Sequence, residues 1–347
     1  MKLNVITKDN AFPLPSIEEL LIKVRESKFF TTLDLKSGYH QIPIDESSKE
    51  KTAFIANDQL FEYNYLPFGV KNAPAHFSRV MMSVLASLLG HSVFIYLDDI
   101  IIVGATVMEH RNNIIKVLEA LKRRGMKINL EKCKFFQQEV EFLGHIVTPE
   151  GIKPCADKVA AIKEFPRPKT AKEVASFLGL AGYYRKFIKD FGRIARPLDL
   201  LRKQSDFHWG QEEEIAFQEL KIALTSDELL AYRRFDRPFL VTTDASSVAI
   251  GGVISQIDDK GRERPICFAS RALKGAKKNY RSFDREALAI LWMLERHRYF
   301  LLGHKIQLQT DHRPLRDLFS KGDLTSRQPR WVERLFEFDI GGFNHTA

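Results

Sequence analysis

The sequence predicts an α+β unit, then a helical stretch, then an α/β unit. Three observations lead there. Residues 29–147 mix short β-branched and aromatic runs with long amphipathic segments; residues 157–225 read as helix; from about Arg237 the hydrophobic period changes from two to 3.6 and back. At 347 residues the chain suits two or three domains, each with a core of its own.

The elements follow in order. "SIEELLIKVRES" (16–27) predicts a helix, with Ser16 and Glu19 as a capping box and Ile17, Leu20, Leu21 and Val24 as one stripe. "FFTTLDL" reads as a strand with Asp34 near its end, and "LFEYNYL" (60–66) as another. Pro74 opens the helix "PAHFSRVMMSVLASLL". "FIYLDDIIIV" (94–103) sets Asp98 and Asp99 between two apolar runs, and a helix near 108–124 ends at Gly125. "VEFLGHIV" (140–147) is a short strand.

Beyond Gly151, Thr170 and Glu173 form a second capping box before the stripe Val174, Phe177, Leu178 and Ala181. "GYYRKFIKDFGRIARPL" interleaves aromatic and basic residues: either an amphipathic helix with a solvated basic side or an element that grips a nucleic-acid duplex. "PFLVTTDASSVAIGGVISQ" is strand, acid, Gly-rich bend and strand; "SFDREALAILWMLERHRYFLLG" is a long helix; "KIQLQTDHRPL" is a strand ending in an acid.

Charge narrows the partners. With 53 basic against 44 acidic residues the net charge is +9, and the pI of about 9.3 favours a polyanion. Cys133, Cys155 and Cys267 match no zinc or disulfide spacing, which points to a reducing compartment. No stretch approaches the roughly 18–20 apolar residues of a membrane span, and the N-terminus carries no signal-peptide core. An intracellular protein without a membrane partner is expected.

Why place two aspartates in an apolar strand run? Two-residue hairpin turns favour Gly-containing pairs, so Asp98-Asp99 is a poor turn by itself. Unpaired buried carboxylates are costly, whereas a bound cation balances them. If the Asp34 strand neighbours the Asp98 and Asp99 strands, three carboxylates converge at one sheet end, enough for two hard divalent ions and in-line phosphoryl displacement. In the third unit Asp244 near mid-strand, Glu286 in the first turn of a helix and Asp311 at a strand end give a second such series. Taken singly, each is more readily a dipole partner or a turn residue than a ligand.

With these segments in this order, the chain resembles the reverse transcriptase and RNase H region of the Pol polyproteins of gypsy-like (Metaviridae) LTR retrotransposons. The matching segments are "FFTTLDLKSGYHQIPI", "KTAF", "YNYLPFGVKNAPAHFSRVM", "FIYLDDIIIV", "VEFLGHIV", "SFLGLAGYYRKFI", "TTDAS", "EALAILW" and "TDHRPL". The resemblance implies a right-hand polymerase with α+β fingers and palm (1–149, its N-terminal part missing) and a helical thumb or connection-like region (150–235). An α/β RNase H-like domain follows (236–347, its C-terminal part missing).

It also implies roles. Asp34, Asp98 and Asp99, with the Leu35 backbone carbonyl, would hold two Mg2+ ions, or Mn2+, at the polymerase site. Asp244, Glu286 and Asp311 would hold two at the RNase H site. Tyr39 would block a ribose 2′-hydroxyl, Phe68 and Gly69 would line the dNTP pocket, and Lys132 would stand near the triphosphate. Phe142, Leu143, Gly144 and His145 would grip the primer.

The implied activity is RNA-directed DNA synthesis coupled to RNase H hydrolysis. Its partners are an RNA template, a DNA primer, an RNA–DNA hybrid and dNTPs, with homodimers among the family's arrangements and protease and integrase in the same polyprotein. The implied location is cytoplasmic, in virus-like particles, with access to the nucleus. Two alternatives stay open: a truncated, inactive nucleic-acid-binding relic, and a structural subunit completing a longer partner.

Overall fold

The structure is a computed structural model that describes residues 2–10, 16–204, 206–225, 229–310 and 328–345. It divides into two compact units, Met1–Gly151 and Ile152–Ala347.

The first unit contains α1 (Lys2–Ile6), α2 (Ile17–Lys23), β1 (Phe29–Leu33), α3 (Glu46–Lys49), β2 (Phe54–Ala56), β3 (Gln59–Phe61) and α4 (Ala73–Val84). After these come β4 (Val93–Tyr96), β5 (Asp99–Gly104), α5 (Val107–Arg123), β6 (Lys134–Gln137), β7 (Val140–Phe142) and β8 (His145–Val147). The main sheet runs β4-β5-β1-β6.

Leu33, Val93, Ile95, Ile100 and Ile102 cover one sheet face and pack against Phe77 and Met81 of α4 and Ile114, Val117 and Leu121 of α5. Phe30, Phe94, Ile101 and Val103 are buried too. A strand buried on both faces needs apolar residues at every position, which explains the unbroken run Ile100–Val103.

Several local expectations change. Ser16 precedes α2 but its side chain makes no capping hydrogen bond. The strand expected over 60–66 is shorter and earlier, at Gln59–Phe61. Residues 140–147 form a hairpin, not one strand: Phe142 pairs with His145, and Leu143 and Gly144 both take positive φ, as a tight two-residue turn requires.

In the second unit β9 (Gly151–Pro154), at the boundary, precedes α6 (Ala156–Lys163), α7 (Ala171–Tyr183), α8 (Phe191–Ile194), α9 (Arg196–Leu201) and α10 (Gln211–Thr225). Then come β10 (Leu230–Ala231), β11 (Phe239–Ala245), β12 (Ala249–Ile257), β13 (Glu263–Ala272), α11 (Ser282–Arg296) and α12 (Arg298–Leu301). β14 (Ile306–Thr310), α13 (Gln328–Leu335) and β15 (Ile340–His345) complete it. Thr170 caps α7 as expected, its hydroxyl accepting from the Glu173 N–H at 3.2 Å.

The sheet order is β13-β12-β11-β14-β15. The hairpin strands β11, β12 and β13 are antiparallel, and β14 lies parallel to β11. One face packs under α11: Phe239, Val241 and Ile254 meet Ala287, Ile290 and Leu294. The other face takes the helical segment, with α8 lying on β12 and β13. Tyr184, Phe187 and Ile188 are buried within this unit, so much of the aromatic and basic stretch serves packing.

Candidate active sites

In the first unit the strand register brings the three aspartate positions to one end of the sheet. Tyr96 pairs with Asp99, so the residues that turn the β4–β5 hairpin are Leu97 and Asp98, not Asp98 and Asp99. Leu97 holds φ +55°, a left-handed conformation unusual for leucine and a local strain at the site. Leu33 pairs with Ile100; one antiparallel step further sets Asp34 across from Asp99.

The electrostatics agree. The Asp99 carboxyl is raised to about 6, first by the protein packed around it and then by the negative charges of Asp98, Asp34 and Glu141. The residue keeps a solvent-exposed surface, so neighbouring charge and local crowding act together.

A second layer fixes Asp34 and Leu35. The Asn129 N–H donates to the Asp34 carbonyl at 2.8 Å and the Lys36 N–H to the Lys127 carbonyl at 3.0 Å, flanking the Leu35–Ile128 bridge. Asp34 and Lys36 carry those bonds, which leaves the Leu35 carbonyl outside the bridge. Gln41 ties the segments together: its amide donates to the carbonyls of Lys36 (2.7 Å) and Lys127 (2.9 Å) and accepts from the Lys127 N–H (2.6 Å).

Tyr39 sits in a short 3-10 turn, its ring 4.9 Å from Phe77 and 5.1 Å from Phe68. Burial and the Asp98 charge raise its hydroxyl pKa. Phe68 is exposed. Gly69 takes φ +86°, and Asn4 clamps its loop, donating to the Gly69 carbonyl (2.8 Å) and accepting from the Lys71 N–H (2.9 Å).

Lys132 is exposed at the end of the turn that Asn129 begins. In the β7–β8 hairpin Phe142 and His145 are buried, leaving Leu143 and Gly144 at the tip. The His145 Nδ1 lies 2.8 Å from the Leu143 carbonyl. Glu141, Gln41, Asn129 and Asn4 were not singled out from the sequence. Only Glu141 had a readable signal, as the polar residue alternating with buried Val140 and Phe142.

In the second unit Asp244 is the penultimate residue of β11 rather than a mid-strand one. Glu286 is 5% exposed and lies one turn inside α11; Asp284 is the acid of the first turn, so a helix-dipole role fits Asp284 and not Glu286. Asp311 lies outside the described residues. Asp244 opens into a cavity of about 230 Å3 whose wall includes Lys189 and Asp190, two residues that sequence reasoning did not assign.

Among the described residues no three His, Cys, Asp or Glu side chains are gathered closely enough to cage a metal. The donor chemistry of the first site nonetheless suits a hard divalent ion: oxygen ligands only, with Asp34 and Asp98 repelling Asp99. Among the described residues no helix is long and apolar enough to cross a membrane.

The comparisons with known proteins bear on both units. The family model described as reverse transcriptase (RNA-dependent DNA polymerase) matches residues 1–147. The model of the RNase H-like domain found in reverse transcriptase matches 234–338. The retrovirus-related Pol polyprotein from transposon 297 of Drosophila melanogaster is 42% identical over 98% of this chain and 32% of its own length. That from transposon gypsy of the same fly is 41% identical over 95% and 33%, and the Tf2-3 polyprotein of Schizosaccharomyces pombe is 36% identical over 99% and 27%. The chain thus spans about a third of the curated relatives it matches.

Among solved structures, the foamy viral protease-reverse transcriptase dRH in complex with ds DNA gives a TM-score of 0.86 at 24% identity, over 99% of this chain and 61% of that one, a likeness of fold. The foamy viral protease-reverse transcriptase in complex with RNA/DNA hybrid gives 0.77 at 25% identity, over 99% and 47%. Reverse transcriptase and RNase H families are in general divalent-metal dependent.

Proposed function

The chain belongs to the reverse transcriptase and RNase H region of gypsy-type Pol polyproteins, and from that premise we propose that it is an RNA-directed DNA polymerase that also hydrolyses the RNA of RNA–DNA hybrids. The observation that carries the reading is that the strand register sets Asp34, Asp98 and Asp99 at one sheet end, where burial and then the charges of Asp98, Asp34 and Glu141 raise the Asp99 carboxyl to about 6.

Asp34, Asp98, Asp99 and the Leu35 carbonyl would hold the Mg2+ ions, which lower the pKa of the primer hydroxyl and balance charge on the phosphates. The primer 3′-hydroxyl attacks the α-phosphate of a dNTP and pyrophosphate leaves. Tyr39, braced by Phe77 and Phe68, fills the space a ribose 2′-hydroxyl would need. Phe68 and Gly69 border the nucleotide, Lys132 approaches its triphosphate, and the Phe142–His145 hairpin steadies the primer end.

Asp244, Glu286 and Asp311 serve RNA hydrolysis. The domain division is fingers and palm at 1–149, thumb at 150–235 and RNase H-like domain from 236. The partners are template RNA, primer DNA, their hybrid and dNTPs, within a polyprotein that also carries protease and integrase, in cytoplasmic particles. Two subunits pair as a homodimer.

The test is oligo(dT)-primed synthesis on an RNA template. Extension followed by shortening of the RNA strand is expected; template bound with neither reaction would contradict the assignment.

A further inference from the structure

The loop that carries Phe68 and Gly69 has little packing of its own. Phe68 is 60% exposed, with its ring 5.1 Å from both Tyr39 and His40. Gly69 holds φ +86°, and a Cβ built on it would meet nothing within 4 Å, so the glycine serves backbone direction and not a close approach. A surface loop of this kind keeps one conformation only if something else holds it.

Residues 4–10 hold it. The Asn4 side chain donates to the Gly69 carbonyl at 2.8 Å and accepts from the Lys71 N–H at 2.9 Å, so a single amide pairs with residues i and i+2 as a parallel strand would. The Lys71 ammonium reaches the Thr7 carbonyl (3.4 Å) and the Asp9 carboxylate (2.7 Å). The Asn72 amide donates to the Lys8 carbonyl (2.9 Å) and accepts from the Asn10 N–H (3.2 Å), and the Arg79 guanidinium donates to the Asn10 side-chain oxygen (3.1 Å). Asn72 stands at the N-cap position of α4, where an asparagine ordinarily caps its own helix, yet its side chain makes no capping bond. Its amide is committed to the crossing segment instead.

These bonds secure no core. None of residues 3–10 is buried, and Val5 and Ile6 stand 86% and 79% exposed. Solvated hydrogen bonds and an exposed ion pair add little to global stability, because water replaces each of them. What several of them on one loop do fix is geometry: where Gly69 and, one residue away, Phe68 sit against Tyr39.

Resting on the reading of Phe68 and Gly69 as the border of the incoming nucleotide, we propose that residues 4–10 are a polar strap that sets the position of that border, with Asn4 as its positioning residue. In this role Asn4 touches no substrate. It acts through Gly69 on Phe68, and so on the affinity for dNTP rather than on the chemical step.

Single-turnover dNTP titrations of the full chain on a primed RNA template with Mg2+ test this. Asn4→Ala should raise the half-saturating dNTP concentration by about fivefold to tenfold, the scale of one or two lost hydrogen bonds. The maximal rate should change by less than about twofold, and template-primer affinity should hold. Asn4→Asp, which keeps an acceptor for the Lys71 N–H and loses the donor to the Gly69 carbonyl, should raise the half-saturating concentration by about twofold or more. It carries the test if Asn4→Ala does not fold.

A double variant separates positioning from general weakening. If Asn4 acts through Phe68, Asn4→Ala should add less than about twofold in a Phe68→Ala background, whereas independent effects multiply. Full multiplication, an unchanged half-saturating concentration in a folded Asn4 variant, or a loss confined to the maximal rate would overturn the strap and leave the polymerase reading standing. An unchanged half-saturating concentration in Phe68→Ala would remove Phe68 from the nucleotide border and the strap with it. No incorporation by the wild type would sink the polymerase reading and the strap together.

Discussion

Asp34 stands across the strand end from Asp99, one register step beyond the Leu33–Ile100 pair. Burial first, and then the like charges of Asp98, Asp34 and Glu141, raise the Asp99 carboxyl. A divalent cation would remove that cost, so the same arrangement that destabilises the metal-free chain prepares it for metal.

The pH dependence follows from the sign of that shift. A carboxyl at about 6 in the folded chain, against an ordinary value near 4 unfolded, binds more protons when folded between those limits. Metal-free protein should therefore lose stability as pH rises from about 4 through 6. Melting curves of wild type and Asp99→Asn across this window should converge at low pH and diverge above it, with Asn the more stable. Glu141→Gln should shift the divergence to lower pH, and Mg2+ should abolish it.

Tyr39 should govern sugar selection. Tyr39→Val should raise ribonucleotide incorporation relative to deoxynucleotide on the order of 10²-fold in kcat/KM. Tyr39→Phe, which keeps the ring against Phe77 and Phe68, should not. Equal selectivity in both variants would remove Tyr39 from that role.

Gln41 never touches substrate in this account, yet it joins the segments on either side of the Leu35–Ile128 bridge. Gln41→Ala should cost about 0.5–1.5 kcal/mol in urea unfolding, because the Lys36 carbonyl and the Lys127 N–H lose their partner while the Lys127 carbonyl keeps the Lys36 N–H. Gln41→Glu restores only the acceptor and should recover part of it.

The elements around the acids were legible because they obey simple rules: β5 is apolar at every buried position, and Pro74 marks the start of α4. The turn itself was misread by one residue. Leu97 supplies the left-handed position, and nothing in a leucine announces that. Glu286 was misjudged because α11 begins at Ser282, so its acid lies inside the helix rather than at its start.

Long-range partners were invisible for a different reason. Asn129 meets Asp34 through backbone groups that every residue possesses, and Gln41 reaches Lys127 across a separation no local pattern records. The stretch around Tyr184 drew attention for its basic residues, whereas its packing depends on Gly192 and Ser270, which carry no charge.

The central claim is tested most directly by single-turnover incorporation of the first dNTP on a primed RNA template with Mg2+, comparing wild type, Asp98→Asn and Asp244→Asn. Asp98→Asn should slow the step by about 10²–10³-fold while template-primer binding persists, and Asp244→Asn should leave it unchanged. Equal rates in wild type and Asp98→Asn would contradict the assignment of the strand-end acids as the polymerase site.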